Sequence, residues 1–281
     1  MARKDTLYVT DMDGTLLGAD STVSEISREI ISDLSRSGYN ITVATARTPA
    51  TVVPLLEGTF TRPPAIVLTG AALWRRGYGA GYARVSTFAP ELYVALTALF
   101  DRRGLSPFVY TLPEGSEVLE VYRNPCEEMN HAEELFVEQR RGLRLKRFHL
   151  RQPAPPSAAE RTVLFFAMGP LGRVLEVAEL IGANYPCSVS AYPDIFMKDT
   201  GILEVLAPGV SKAAAVKALA AELGLERIVA FGDNLNDLPM LSVADVAVAV
   251  ENALPEVKAA ADVVIGPNYA SSVARFIEED A

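Results

Sequence analysis

Three short apolar runs alternate with helical segments at the start of the chain, and this alternation limits the fold more than any other feature. Leu7-Tyr8-Val9-Thr10 leads into Asp11-Met12-Asp13-Gly14-Thr15, Ile41–Ala44 into Thr45-Ala46-Arg47, and Ala65–Leu68 into Thr69-Gly70. Between the first two runs, Thr22 and Glu25 are spaced as a capping box. Ile26, Ile30, Ile31 and Leu34 follow at helical spacing, with Gly38 at the C-terminal cap. Thr48-Pro49 reads as an N-cap with proline at the first position of a second helix, which runs towards Gly58. Strand, helix, strand, helix, strand is the pattern of a parallel sheet with right-handed crossovers.

The pattern breaks after the third run. Gly77, Gly79 and Gly81, with Tyr78 and Tyr82, predict an irregular hairpin. A helix led by Pro90 and ending near Gly104 follows, then strands at Phe108–Leu112 and Val118–Tyr122. A polar helix over Glu127–Arg140, strands at Leu145–Leu150 and Thr162–Met168, a helix at Val174–Ile181 and a strand at Ser188–Tyr192 complete an α+β stretch. The first pattern then returns. Strands are expected at Ile202–Leu206, Ile228–Phe231, Val246–Val250 and Val263–Ile265, with helices at Ser211–Leu223, near Pro255 and at the C-terminus. The expected architecture is a doubly wound α/β core made of residues 1–86 and 196–281, with an α+β cap domain, residues 87–195, inserted between them.

Bulk properties narrow the function. A net charge of −9 argues against general binding of nucleic acid or an anionic membrane. No stretch reaches the ~18 apolar residues of a membrane span, and the N-terminus lacks the ~7–15-residue apolar core of a signal peptide. The expectation is a cytoplasmic protein with reduced thiols at Cys126 and Cys187. His131 and His149 are the two histidines, which leaves no zinc-spaced set of Cys and His.

Asp11-Met12-Asp13-Gly14 alone is read equally well as a turn. Its position changes the reading, because ligands of open parallel sheets bind beyond the C-terminal strand ends. Asp11, Asp13, Thr45, Asp233 and Asp237 all follow strand runs, and Lys212 opens a helix. Four carboxylates in one place repel one another and need a cation. Oxygen ligands suit a hard ion such as Mg²⁺. A Mg²⁺ site beside an ammonium and a helix N-terminus suits a phosphate group. With no suitable histidine or cysteine, an aspartate serves as nucleophile, and the carboxylate two residues on as acid and base.

Asp11-Met-Asp-Gly-Thr15, Thr45, Lys212 and Gly232-Asp-Asn-Leu-Asn-Asp237 resemble, in order, the four motifs of the haloacid dehalogenase superfamily, in its Mg²⁺-dependent phosphatase form. The long insertion and Val246-Ala-Val-Ala-Val-Glu-Asn-Ala253 resemble the Cof-like branch with a type IIB cap. The resemblance implies that Asp11 is nucleophile and metal ligand, and that Asp13 is general acid/base and binds Mg²⁺ through its carbonyl. Asp233 completes the metal site. Thr45, the backbone N–H groups of Met12 and Ala46, and Asn236 hold the phosphate. Lys212 neutralises charge, and Asp237 orients the metal waters or Lys212. The implied activity is hydrolysis of small phosphorylated metabolites, sugar phosphates first among them. A phosphomutase or a non-catalytic phospho-acceptor module is the alternative. No protein partner is readable.

Thr69, Ala213 and Glu251 depart from the branch, which has Asn, Gly and Gly at those places. Arg47 is read as a substrate contact or a surface salt bridge. The basic run Arg140, Arg141, Arg144, Lys146, Arg147, Arg151 reads as a solvated face rather than a substrate-attracting patch. His131 is expected at the surface and His149 at a strand end. Trp74, Tyr78 and Tyr82 either line a cleft or pack the hairpin.

Overall fold

The structure is a computed structural model, and it describes residues 3–75, 81–124, 128–194, 197 and 199–281. The first stretch of chain folds as β1 (Thr6–Thr10), α1 (Glu25–Arg36), β2 (Asn40–Val43), α2 (Pro49–Leu55), β3 (Ala65–Val67), β4 (Ala72–Trp74) and β5 (Tyr82–Val85). The middle gives α3 (Pro90–Arg103), β6 (Phe108–Thr111), β7 (Leu119–Arg123), α4 (His131–Glu138), β8 (Lys146–His149), β9 (Thr162–Pro170), α5 (Leu171–Asn184), β10 (Ser188–Pro193) and β11 (Thr200–Leu206). The last stretch gives α6 (Lys212–Leu223), β12 (Arg227–Gly232), α7 (Leu238–Leu241), β13 (Val246–Val250), α8 (Pro255–Ala260), β14 (Val263–Ile265) and α9 (Ser272–Asp280).

Two compact units result, residues 1–84 with 211–281, and residues 85–210. In the first, a sheet runs in the order β14-β13-β12-β1-β2 with every neighbour parallel. The chain winds outward from β1 to β2 on one side and from β12 to β14 on the other, which makes the fold α/β and doubly wound. The reversal lies between β1 and β12, where such sheets open a crevice at their carboxyl ends. β1 is buried along its whole length, as a central strand covered on both faces must be.

Three expectations need correction. Ile202–Leu206 is a strand, but not of the core. β11 lies between β9 and β10, antiparallel to both, so the second boundary falls at 210/211 rather than 195/196. β3 touches the parallel sheet through one bridge, Ala44 to Ile66, and otherwise pairs antiparallel with β4. The cause is the turn at Leu68–Gly70, whose three residues have φ of 54°, 54° and 98° and send the chain straight back. Helix α1 is capped by Ser24, which accepts from Ser27 N–H at 3.1 Å, and not by Thr22. Asp20 takes both the N–H and the hydroxyl of Thr22, at 3.0 and 2.8 Å, and removes it from capping.

The second unit is one sheet in the order β10-β11-β9-β6-β7-β8, in which β7 and β8 pair parallel. Its central strand β9 presents aromatic rings to both faces. Phe165 packs against Phe88, Tyr93 and Phe100, and Phe166 against Phe136 with centroids 4.9 Å apart. Arg123 and Glu133, both 3 % exposed, form a doubly bonded pair at 3.0 and 3.1 Å that ties β7 to α4.

Trp74 is buried, a packing residue, while the expected hairpin tip, with Gly77, Tyr78 and Gly79, lies outside the described residues, as does Cys126. Cys187 is half-buried, His131 is exposed, and His149 ends β8, stacked on Tyr122. Among the described residues no helix is long and apolar enough to cross a membrane.

Candidate active site

β1 delivers Asp11 to the carboxyl edge of the sheet, and Asp11 N–H donates to the Phe231 carbonyl of β12 at 3.0 Å. The chain then turns tightly through Met12–Leu16, closed by Leu17 N–H on the Met12 carbonyl at 2.8 Å. Gly14 has φ +77°, and a Cβ there would lie 2.4 Å from Asp233 Oδ2. Glycine is needed for the backbone conformation and also to let the turn reach the Asp233 carboxylate.

Lys212 is the first residue of α6, whose N-cap Ser211 accepts from Ala214 N–H. A cation at a helix N-terminus opposes the helix dipole. The reason for its place is on the other side. The Lys212 ammonium donates to Asp11 Oδ1 at 2.5 Å and to Asp237 Oδ1 at 2.8 Å, and all three residues are buried. The second oxygen of Asp237 accepts the backbone N–H groups of Asp233 and Asn234 at 3.1 and 3.2 Å. Asp233 Oδ1 accepts the Thr15 hydroxyl at 2.8 Å.

Asp11, Asp233 and Asp237 each bring a carboxylate oxygen within 4.8 Å of the others. Three carboxylates face one ammonium in a buried space, and the imbalance shows in their proton affinities. Burial raises Asp11 to about 7, with Lys212 opposing the rise and Asp237 adding to it. Burial likewise raises Asp233 to about 6, with Thr15 opposing and Asp237 adding. For Lys212, burial favours the neutral amine, but Asp11 and Asp237 outweigh it and hold the group charged. The all-oxygen donor set and the surplus of negative charge fit a hard divalent cation. Both Asp237 oxygens already accept protein donors, so Asp11 and Asp233 are the carboxylates best placed to hold one.

Thr45 and Ala46 follow β2, with Thr45 N–H on the Ile66 carbonyl and the Thr45 hydroxyl accepting Arg47 N–H at 3.1 Å. Met12 and Thr45 are buried, Ala46 half-buried. Asp13 is exposed, and its carboxylate is turned away from the acidic cluster to Arg47. Nε and Nη2 of Arg47 donate to its two oxygens at 2.7 and 2.5 Å. Arg47 therefore makes the salt bridge, and its partner is the candidate acid/base itself. Asn236 is exposed on the turn before α7.

Two contributors carry no role in the sequence reading. Thr15 is visible inside the first motif but has no chemistry of its own until Asp233 comes beside it. Asn252 donates to the Gly14 carbonyl at 2.7 Å and accepts from Asn268 N–H at 2.9 Å, pinning the Met12–Leu16 turn. The signal for it is the Val246–Ala253 segment.

A model of the haloacid dehalogenase-like hydrolase family matches residues 8–277. A protein of Haemophilus influenzae named "Putative phosphatase" is 24% identical over 272 residues, covering 96% of each chain. Among solved structures, one from Thermotoga maritima superposes with a TM-score of 0.74 at 24% identity, covering 99% of this chain and 97% of that one. A structure described as a subclass IIB sugar phosphatase of the haloacid dehalogenase superfamily gives 0.72 at 20% identity, covering 98% of both. At these identities the structural matches establish a shared fold.

Proposed function

The chain belongs to the haloacid dehalogenase-like hydrolases, and from that premise we propose that it is a Mg²⁺-dependent phosphatase of small phosphorylated metabolites, sugar phosphates in the first place. The observation that carries the reading is the buried Lys212 ammonium shared by Asp11 and Asp237, with Asp233 beside them at the switch point of the sheet. The phosphatase name of the Haemophilus relative and the subclass IIB sugar phosphatase among the similar structures support it.

Mg²⁺ held by Asp11, Asp233 and the Asp13 carbonyl would neutralise charge on the phosphate oxygens. An oxygen of Asp11 attacks phosphorus, forming the acyl-phosphate bond as the bond to the leaving oxygen breaks. Asp13 gives that oxygen its proton. Asp13 then takes a proton from water, the water oxygen attacks phosphorus, and phosphate leaves with Asp11 restored. Lys212 keeps Asp11 oriented throughout and offsets the charge that gathers on the phosphate. Thr45, the N–H groups of Met12 and Ala46, and Asn236 position the phosphate. Asp237 positions Lys212. Because Arg47 occupies both Asp13 oxygens, it must release one before Asp13 can act as an acid. Residues 85–210 form the cap that selects the substrate, and the protein works in the cytoplasm.

The test is a panel of phosphorylated sugars and other phosphomonoesters, with Mg²⁺ and with chelator, for the wild type and Asp11→Asn. Release of free phosphate that needs Mg²⁺ and falls by at least about 10³-fold in the variant is expected. Full activity in Asp11→Asn defeats the mechanism. An isomerised sugar phosphate without free phosphate indicates a mutase, and a stable phospho-protein indicates an acceptor module.

A further inference from the structure

Arg47 holds a donor that must lose its partner during turnover. The guanidinium is half-buried, and its Nε and Nη2 donate to the two Asp13 oxygens at 2.7 and 2.5 Å. Nη1 meets no hydrogen-bond acceptor among the described residues. The backbone beneath is fixed on both sides. Arg47 N–H donates to the Thr45 hydroxyl at 3.1 Å, and the Arg47 carbonyl accepts Leu68 N–H at 3.0 Å. Thr69 N–H on the Thr45 carbonyl, also at 3.0 Å, ties the same loop to the Leu68–Gly70 turn.

Proton transfer to the leaving oxygen needs an Asp13 oxygen within about 2.6–3.2 Å of it. A side-chain rotation that brings one oxygen there takes that oxygen off Arg47, while the other stays bonded. One guanidinium donor is then vacated beside the leaving oxygen, with Nη1 next to it. Arg47 cannot retreat, because its loop is held at Thr45 and Leu68. A charged donor that gives up a bond in a half-buried position is costly unless another acceptor replaces it. The substrate is what stands there. An oxygen on the carbon next to the ester carbon lies within one hydrogen bond of such a donor.

We propose that Arg47 selects the substrate: it favours phosphomonoesters with an oxygen acceptor, a hydroxyl or a carboxylate, on the carbon next to the ester carbon, and disfavours plain alkyl phosphates. This assignment rests on the phosphatase reading above. Sugar phosphates with a hydroxyl beside the phosphate meet the requirement, and so do phosphorylated 2-hydroxy acids, whose carboxylate suits the planar guanidinium fork. The salt bridge to Asp13 is then the resting partner of Arg47, and the substrate contact its partner during proton transfer.

Phosphate release is measured at saturating Mg²⁺ for two pairs matched in carbon chain, glycerol 3-phosphate with propyl phosphate and 2-phosphoglycolate with ethyl phosphate. In the wild type, the acceptor-bearing member of at least one pair is expected to show a kcat/KM at least about tenfold higher. Arg47→Met should bring that ratio to within about twofold of one, and Arg47→Lys should recover part of it. Preference in the glycerol pair alone identifies a hydroxyl acceptor, and in the phosphoglycolate pair alone a carboxylate; either supports the assignment. A wild-type ratio near one in both pairs, or a ratio that Arg47→Met leaves unchanged, overturns it while the phosphatase reading stands. Release from none of the four esters by the wild type defeats the phosphatase reading, and this assignment with it. Binding gives a second readout that needs no turnover, with phosphonates that carry CH₂ in place of the ester oxygen of the preferred pair. In Asp13→Asn one Arg47 donor is vacated permanently, so calorimetry should find the acceptor-bearing phosphonate bound about tenfold more tightly than its alkyl partner. Arg47→Met in that background should remove the difference; equal affinities before it is introduced, or a difference that survives it, overturn the assignment.

Discussion

Gly70→Ala tests whether the Leu68–Gly70 turn sets the position of Lys212. Gly70 has φ +98°, and a Cβ there would lie 2.3 Å from the Ser211 carbonyl oxygen and 3.1 Å from Lys212 N. Ordinary contact begins near 3.4 Å, so the start of α6 must retreat by about 1 Å. The left-handed backbone costs alanine about 1 kcal/mol, and the overpacking about 1–3 kcal/mol more. The melting temperature should fall by roughly 5–10 °C. The larger effect should be on rate. Lys212 reaches Asp11 at 2.5 Å and Asp237 at 2.8 Å, and a misplacement of about 1 Å in such a constellation costs about 10²-fold. Hydrolysis of p-nitrophenyl phosphate at saturating Mg²⁺ gives kcat, and a thermal melt gives the stability. Gly142→Ala is the control, since its Cβ would meet nothing within 4 Å. If Gly70→Ala kept kcat within twofold of the wild type while folded, the turn would not be what holds Lys212 in register.

Gly14→Ala would press a Cβ to 2.4 Å from Asp233 Oδ2, and the Mg²⁺ concentration giving half-maximal activity should rise about tenfold or more. Glu133→Ala leaves Arg123 buried without its carboxylate, so denaturant unfolding should show a loss of about 3–5 kcal/mol. Asp280 accepts from Tyr8 at 2.9 Å and from Arg227 at 2.6 and 3.2 Å, and pairs with Arg3. Burial alone would raise the Asp280 carboxyl, but these donors hold it below the usual range. A lowered folded-state value adds stability above the unfolded value of about 3.9 and loses it as pH falls through the folded value. The melting-temperature gap between wild type and Asp280→Asn should therefore be widest above about pH 5, begin to shrink below about pH 4 and close as pH falls past the lowered folded-state value; a gap that stayed constant throughout the acid range would contradict the assignment.

Local signals are legible wherever a residue's job is local. Gly104 and Gly224 end α3 and α6 in the left-handed conformation, as a glycine just past a helical pattern should. They mislead where two neighbours compete for one role. Thr22 and Ser24 both qualify as caps, and Asp20 decides between them by bonding Thr22 first. Ile202–Leu206 fits either sheet by composition. Glu204 in its middle does not decide the matter, because it is buried in the antiparallel sheet that it joins. The Arg47–Asp13 bridge and the role of Asn252 depend on how the turns after β1 and β13 meet, which no spacing records.

The two units also differ in how far their chemistry can be read, and the cause is topological. In a parallel sheet every strand ends on the same side, so polar residues that follow apolar runs are delivered to one edge however far apart they stand in the chain. Asp11 after β1, Thr45 after β2 and Asp233 after β12 are brought to that edge by the direction of their strands alone. Lys212 needs one further condition, that α6 begin there, and Gly70 against Ser211 supplies it. In the second sheet, β9, β6 and β7 run alternately up and down, and strand ends point to opposite sides. What groups residues there is the face of the pleat, and a register shift of one residue reverses it. Lys146 and Arg147 are adjacent in sequence, yet one is buried against Tyr110 and the other reaches Glu120 on the far face. The basic run can therefore be seen in the sequence, but that Lys146 is buried while its neighbour Arg147 is exposed requires the register of β7 with β8.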